Sequence, residues 1–249
     1  MTGAAFKDLF SRQAADYAKF RPTYPGALFA WLASVTPVRE VAVDVGAGNG
    51  QAAQALAAHF QRVFALEPSA AQLAHAPSLD RVTFQRGAAE ATGLPDGSAD
   101  VLVAAQAFHW FDQATFFAEV GRVVRPGGTL ALWCYANATI TPPVDAIVHE
   151  LYQRILGPYW EPERRLVETG YATVPVPFSS LQAPPFHMSV EWTFEQLVGY
   201  LMTWSSLQRC VRETGNNPLQ PLLVRLETAW AGAVARTVTW PLFVRAFRV

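Results

Sequence analysis

The stretch EVAVDVGAGNG, residues 40–50, decides how the chain is read. Through Val45 it is a short run of apolar, partly β-branched residues, too short for a helix and suited to a buried strand. Glycines then stand at 46, 48 and 50. Glycine lets the backbone turn tightly and approach a ligand closely where a strand hands over to a helix. The run that follows, GQAAQALAAHF, has helical composition.

Outward from this unit the rhythm repeats. RVFALE (62–67), RVTFQR (81–86), ADVLVAAQ (99–106) and TLALWCYA (129–136) read as further buried strands. SAAQLAHA and DQATFFAEVGRVV read as helices between them, and RPGG after Val124 as a helix stop with a turn. Strand and helix in alternation give right-handed crossovers and a parallel sheet covered on both faces, with the site at the carboxyl ends of the strands. After Ala136 the rhythm breaks. NATITPPVDAIVHELYQRIL reads as a loop and then a helix, PLQPLLVRLETAWAGA as a late helix, and TVTWPLFVRAFRV (237–249) as a last strand partnered by PFHMSVEWT (185–193). One domain over residues 1–249 is expected: an N-terminal covering segment (1–25), a binding core (26–136), and a lid insertion with closing strands (137–249).

Composition narrows the function classes. The 249 residues carry a net charge of −1, 51% are hydrophobic and 16% charged, a globular balance without a disordered tract. Lys7 and Lys19 are the lysines and the arginines are scattered, so no nucleic-acid footprint is expected. The first residues lack the apolar core of a secretory signal, and no apolar run approaches the roughly 18 residues of a membrane span, so a cytoplasmic protein without membrane contact is expected. Cys134 and Cys210 form no metal-ligand or disulfide pattern, and no metal is expected.

The ligand of the glycine loop is read by elimination and charge. A dinucleotide fingerprint needs glycine or alanine where Gln51 stands, and no GK[ST] follows for a phosphate loop. Asp44 at the strand end would repel a pyrophosphate and attract an ammonium. Glu67, 21 residues after Gly46, stands near the spacing at which an acid accepts from ribose hydroxyls. Both features suit S-adenosylmethionine, which carries an ammonium and a sulfonium and no phosphate.

With these residues in place, the chain resembles the class I S-adenosylmethionine-dependent methyltransferases of the type 11 kind. VDVGAGNG resembles the first motif, ALEPS the second, GAAEATGLPDGSADVLVAAQAFHWFD the run from the adenine loop into the fourth strand, and EVGRVVRPGGTLALWCY the following helix, turn and strand. FSRQAADYAKFRPTYP and HWFD bring it nearest the trans-aconitate methyltransferase-like branch. The resemblance covers residues 6–136. It implies a Rossmann-like, doubly wound, mostly parallel seven-stranded sheet with the last strand antiparallel, a helical lid, and S-adenosylmethionine as methyl donor with S-adenosylhomocysteine as product. It places Asp44, Gly46, Ala47, Gly48 and Gly50 by the methionine part and Glu67 on the ribose, flanked by Pro68 and Ser69. Ala89 and Glu90 come by the adenine, and Gln106 and Ala107 line the cofactor. Tyr17, Arg21 and Tyr24 would close over it, Arg21 on the methionine carboxylate, although their spacing also describes an ordinary packing stripe.

His109 is the one candidate base, and HWFD equally suits a loop-fixing role. Tyr24, Trp110, Phe111, Trp133, Tyr135, Tyr159 and Trp160 are candidate walls of an apolar acceptor pocket, or core residues. Arg164 and Arg165 are candidate carboxylate clamps. The expected partner is a small organic methyl acceptor, carboxylic acids first. Two other readings stay open: a non-catalytic cofactor-binding or partner module, and an NAD(P)-dependent oxidoreductase.

Overall fold

The computed structural model describes residues 22–74 and 76–249, so Tyr17 and Arg21 lie outside the described residues. The chain opens with α1 (Gly26–Val35), whose Leu28, Phe29, Leu32 and Ala33 are buried on one face. It continues through β1 (Val41–Val45), α2 (Gln51–Leu56), β2 (Arg62–Glu67), α3 (Ala70–Leu73), β3 (Val82–Arg86), β4 (Ala99–Ala105), α4 (Gln113–Val123) and β5 (Val124–Tyr135). Every residue of β1 is buried, as befits a central strand covered from both sides.

Among the described residues the sheet has eight strands, in the order β3-β2-β1-β4-β5-β8-β6, with β7 also paired to β8. The first five are parallel to their neighbours; β8 (Arg236–Arg248) is antiparallel to β5, β6 (Ser179–Leu181) and β7 (Phe186–Trp192). The expected count of seven is therefore exceeded. β6 is three residues long and largely exposed, and pairs only with the C-terminal end of β8. The strand β5 also begins earlier than expected. Val124 already pairs with Ala99, but the next partners are Val101 and Thr129, so Arg125 to Gly128 bulge out of register. The turn signal of RPGG is real and is spent as a bulge inside a strand.

Alternation along the strands divides the core. Ala131, Trp133 and Tyr135 of β5 join the core shared with α1, whereas Leu130, Leu132 and Cys134 join the core beneath α4. Period two puts successive side chains on opposite faces, so both faces of the sheet are apolar and both are covered. The lid packs mainly on the first face, while its Val167 and Leu166 join the core of the second. It comprises α5 (Pro142–His149), which runs on as a π-helical segment (Glu150–Ile155), then α6 (Arg164–Glu168), α7 (Phe194–Met202), α8 (Ser205–Thr214) and α9 (Leu223–Trp230). A capping box at Thr193 and Gln196 starts α7. The chain leaves β1 for β2 on one side while β4 lies on the other, which makes the carboxyl ends of β1 and β4 the topological switch point.

Candidate active site

A cleft of about 380 Å³ opens at that switch point, within the range of small-ligand pockets. Its floor is the glycine loop. Gly46 has φ 67°, and a Cβ there would stand 2.7 Å from Ala107 Cβ, so only glycine lets the loop approach the end of β4 this closely. Gly50 (φ 86°) does not line the cleft; a Cβ on it would meet the Phe84 ring at 2.4 Å, so its smallness serves packing against β3. Gly46, Ala47, Gly48, Glu67, Pro68, Ala89, Glu90, Gln106 and Ala107 all line the cleft.

Two acids flank the loop. Glu67 Oε2 accepts from Gly48 N–H at 2.8 Å and Oε1 from Ser69 N–H at 2.9 Å, so this side chain holds the loop against the end of β2. Asp44 lies below the cleft floor, fully buried, with neither carboxylate oxygen hydrogen-bonded. Burial pushes its pKa up to about 8; the Ala53 backbone N–H, short of hydrogen-bond geometry, offsets part of the rise and the Glu67 charge adds to it. A buried carboxylate without a donor, beneath a loop kept free of side chains, fits a ligand that brings a cation.

The end of β4 turns through Gln106, which adopts φ 54°, a left-handed conformation costly for a residue with a Cβ. Its side chain offsets that cost by replacing a stretch of ladder: Tyr135 N–H donates to Oε1 at 2.8 Å and Nε2 donates to Tyr135 O at 3.3 Å. The neighbouring wall is pinned twice. Glu90 Oε1 accepts from Asp112 N–H at 2.9 Å, and Asp112 caps α4 by accepting from Thr115 N–H at 2.9 Å. Glu119 accepts from Thr92 N–H at 2.7 Å and from Thr92 Oγ1 at 2.6 Å, and is bridged by Arg122 at 2.7 Å. The loop that carries Ala89 and Glu90 is thus fastened to α4 at both ends.

His109 lies in a 3₁₀ turn, Phe108–Trp110, and is only 8% exposed. Its Nδ1 is 3.1 Å from the hydroxyl of Tyr171. Burial, and then the Arg164 guanidinium, push the imidazole down to about 3, so it is neutral at pH 7 and a weak proton acceptor. Arg164 itself lines the cleft, stacked at 4.9 Å on the Trp160 ring and donating from Nε to Tyr152 Oη at 3.0 Å. Among the described residues, no carboxylate lies within salt-bridge distance of it.

Among the acceptor-side residues, Tyr24, Trp110, Phe111, Tyr135 and Trp160 line the cleft. Trp133 does not. It sits two residues below the strand end, is fully buried, and packs edge-on against Tyr24 at 5.5 Å and Phe29 at 6.0 Å. Tyr159 is outside the lining and Arg165 is exposed outside it. Tyr200 and Trp204, missed in the sequence, complete the aromatic wall together with Trp160. Tyr200 lies on α7 and Trp204 in the break before α8, so no single helical stripe pointed to the pair. Gln51, whose side chain disfavours a dinucleotide, also lines the cleft and donates to Pro22 O at 3.1 Å.

Residues 43–132 match the methyltransferase domain family. The chain is 34% identical over 224 residues to a protein named as a methyltransferase in Dictyostelium discoideum, across 88% of this chain and 85% of the relative. An uncharacterised methyltransferase of Mycobacterium bovis is 33% identical over 186 residues, 74% of this chain and 70% of that one. Among solved structures, one described as a type II methyltransferase from Anaeromyxobacter dehalogenans is similar with a TM-score of 0.86 and 46% identity, covering 92% of this chain and 98% of that chain.

Proposed function

The chain belongs to the class I S-adenosylmethionine-dependent methyltransferases, and from that premise we propose that it methylates a small organic acid, on its carboxylate, by direct in-line transfer. The methyl donor is S-adenosylmethionine, which supplies an electrophilic methyl group on a sulfonium. In this reading the Asp44 charge acts on the ammonium of the donor from beneath the loop, Gly46 and Gly48 keep side chains out of its way, and Glu67 accepts from the ribose hydroxyls while it holds the Gly48 and Ser69 N–H groups. Ala89 and Glu90 flank the adenine, and Gln106 and Ala107 close the opposite side. The enzyme is a transferase with no call for an oxidoreductase mechanism.

The observation that carries the acceptor class is Arg164. A guanidinium in the cleft wall, stacked on Trp160 and without a carboxylate partner among the described residues, offers its terminal N–H groups to a ligand anion. The aromatic wall suits the apolar remainder of that molecule. A carboxylate is already ionised at pH 7 and needs no base, which agrees with an imidazole held neutral at about 3. Alignment and exclusion of water then supply the acceleration, on the order of 7–11 kcal/mol for alignment alone.

The test is calorimetric titration with S-adenosylhomocysteine, followed by a methyl-transfer screen of acids, phenols and amines. Acids should be methylated, and Arg164→Ala should raise KM for them about 10- to 100-fold with kcat little changed. Turnover of phenols or amines with acids inert would overturn the acceptor class while leaving the cofactor assignment standing.

A further inference from the structure

Tyr171 is fully buried and has φ 61°, an unusual backbone for a bulky side chain. The surroundings over-determine it. Its N–H donates to Leu166 O at 2.8 Å, its carbonyl accepts from the Arg245 guanidinium, and its ring stands edge-on against Phe108 at 5.1 Å. This packing aims the phenol at His109 Nδ1, 3.1 Å away, from behind the cleft wall.

The proton on that contact can be assigned from its neighbours. The other groups that act on the phenol are the Cys134 thiol, whose sulfur is a weak acceptor, the His109 backbone N–H, which only donates, and the Tyr24 phenol, a poorer acceptor than an imidazole nitrogen. The thiol's own hydrogen is directed to Val167 O, with the sulfur 3.8 Å from it. The imidazole nitrogen is the stronger acceptor, so the phenol donates to Nδ1. In a neutral ring the hydrogen then resides on Nε2. Among the described residues Nε2 has no hydrogen-bond partner, and His109 lines the cleft.

We propose that Tyr171 is a positioning residue that locks His109 as its Nε2–H tautomer, so that the cleft receives a neutral hydrogen-bond donor beside Arg164. This deepens the reading of the acceptor as an acid and rests on it for the identity of what is bound. Arg164 and His109 then present N–H groups suited to an oxygen anion, in a cleft that Glu161 and Glu163 also line. His109 would be a binding and orienting group, with its nitrogen lone pair committed to Tyr171.

The test reads the tautomer itself. Protein labelled with ¹⁵N-histidine is examined by long-range ¹H–¹⁵N correlation at about pH 6 to 8, the range in which an ordinary histidine titrates, with His109 assigned by its disappearance in His109→Gln. The expected pattern is a protonated Nε2 and a bare Nδ1, and in folded Tyr171→Phe a mixture of both tautomers. A hydrogen on Nδ1 in the wild type, or an unchanged Nε2–H pattern in Tyr171→Phe, overturns the proposal. Should Tyr171→Phe fail to fold, the wild-type spectrum decides alone. No acceptor is needed, so an error in the acceptor class would leave this result untouched.

Discussion

Asp44 and two glycines carry the chemistry that single residues can decide. The Asp44 carboxyl has a pKa of about 8 in the folded chain against 3.8 when exposed, so between those values the folded chain retains a proton that the unfolded chain has released. Stability without ligand should therefore fall as pH rises from about 4 to about 8, and Asp44→Asn should flatten that fall in a series of denaturant melts. An ammonium seated against the carboxylate pulls its pKa back down. Binding of S-adenosylhomocysteine at pH 7 should then release a proton, seen as a dependence of binding enthalpy on the ionisation heat of the buffer. No dependence at pH 7 would remove Asp44 from the ammonium. The glycines separate in a different way. Gly46→Ala drives a Cβ to 2.7 Å from Ala107 in the cleft floor and should cost ligand affinity at least about tenfold. Gly50→Ala collides with Phe84 outside the cleft, and should cost about 1–3 kcal/mol of stability, partly restored by Phe84→Leu. Calorimetry and thermal melts on the same two variants distinguish the effects.

At the scale of elements, the wall beside the cleft depends on a clamp between a loop and α4. The Arg122 hydrogen bonds, followed by those from Thr92, hold the Glu119 carboxyl down at about 2. The stability it contributes is complete above the ordinary carboxylate range near 4.5 and is lost as pH falls toward about 2. Glu119→Gln should destabilise the protein by about 1–3 kcal/mol at pH 7, with the gap to the wild type closing as the medium is acidified. A constant gap down to pH 2 would mean that the charge is not what holds the loop. This clamp also shows where sequence reading stops. The parallel strands were legible because each is a short apolar run between turn residues, and RVFALE coincides with β2 from Arg62 to Glu67. β6 was not, because its Ser179 and Ser180 are exposed and pair only with an edge of β8. Trp133 stayed open between wall and core because period two identifies a face but not a depth: it shares its face with Tyr135 yet lies about 7 Å further down the strand, below the cleft. The Thr92–Glu119 and His109–Tyr171 pairs were invisible because their members stand 27 and 62 residues apart.

Across the whole molecule, the lid and the sheet share one core. The hydrophobic cluster that begins at Leu28 in α1 runs through Trp133 in β5, Tyr152, Tyr200 and Trp204 in the lid, and Trp240 in β8. The rings form a chain: Tyr152 to Trp204 at 5.6 Å, Trp204 to Tyr200 at 6.0 Å, Tyr200 to Trp240 at 5.5 Å. Trp240 also donates from Nε1 to Tyr200 Oη at 3.2 Å, so the last strand holds the lid by packing and by a hydrogen bond at once. Because Tyr200 and Trp204, which line the cleft, are buried members of this chain, the lid cannot loosen without disturbing the core. Unfolding should therefore be one cooperative transition, raised as a unit by S-adenosylhomocysteine. Trp240→Ala should cost about 3–5 kcal/mol and lower that single transition. The same variant should weaken ligand binding although Trp240 is absent from the cleft lining, since it loosens Tyr200 and Trp204 from behind. Two resolved calorimetric transitions in the wild type, the lower one alone shifting in Trp240→Ala, would instead make the lid an independent unit and the shared core a static contact.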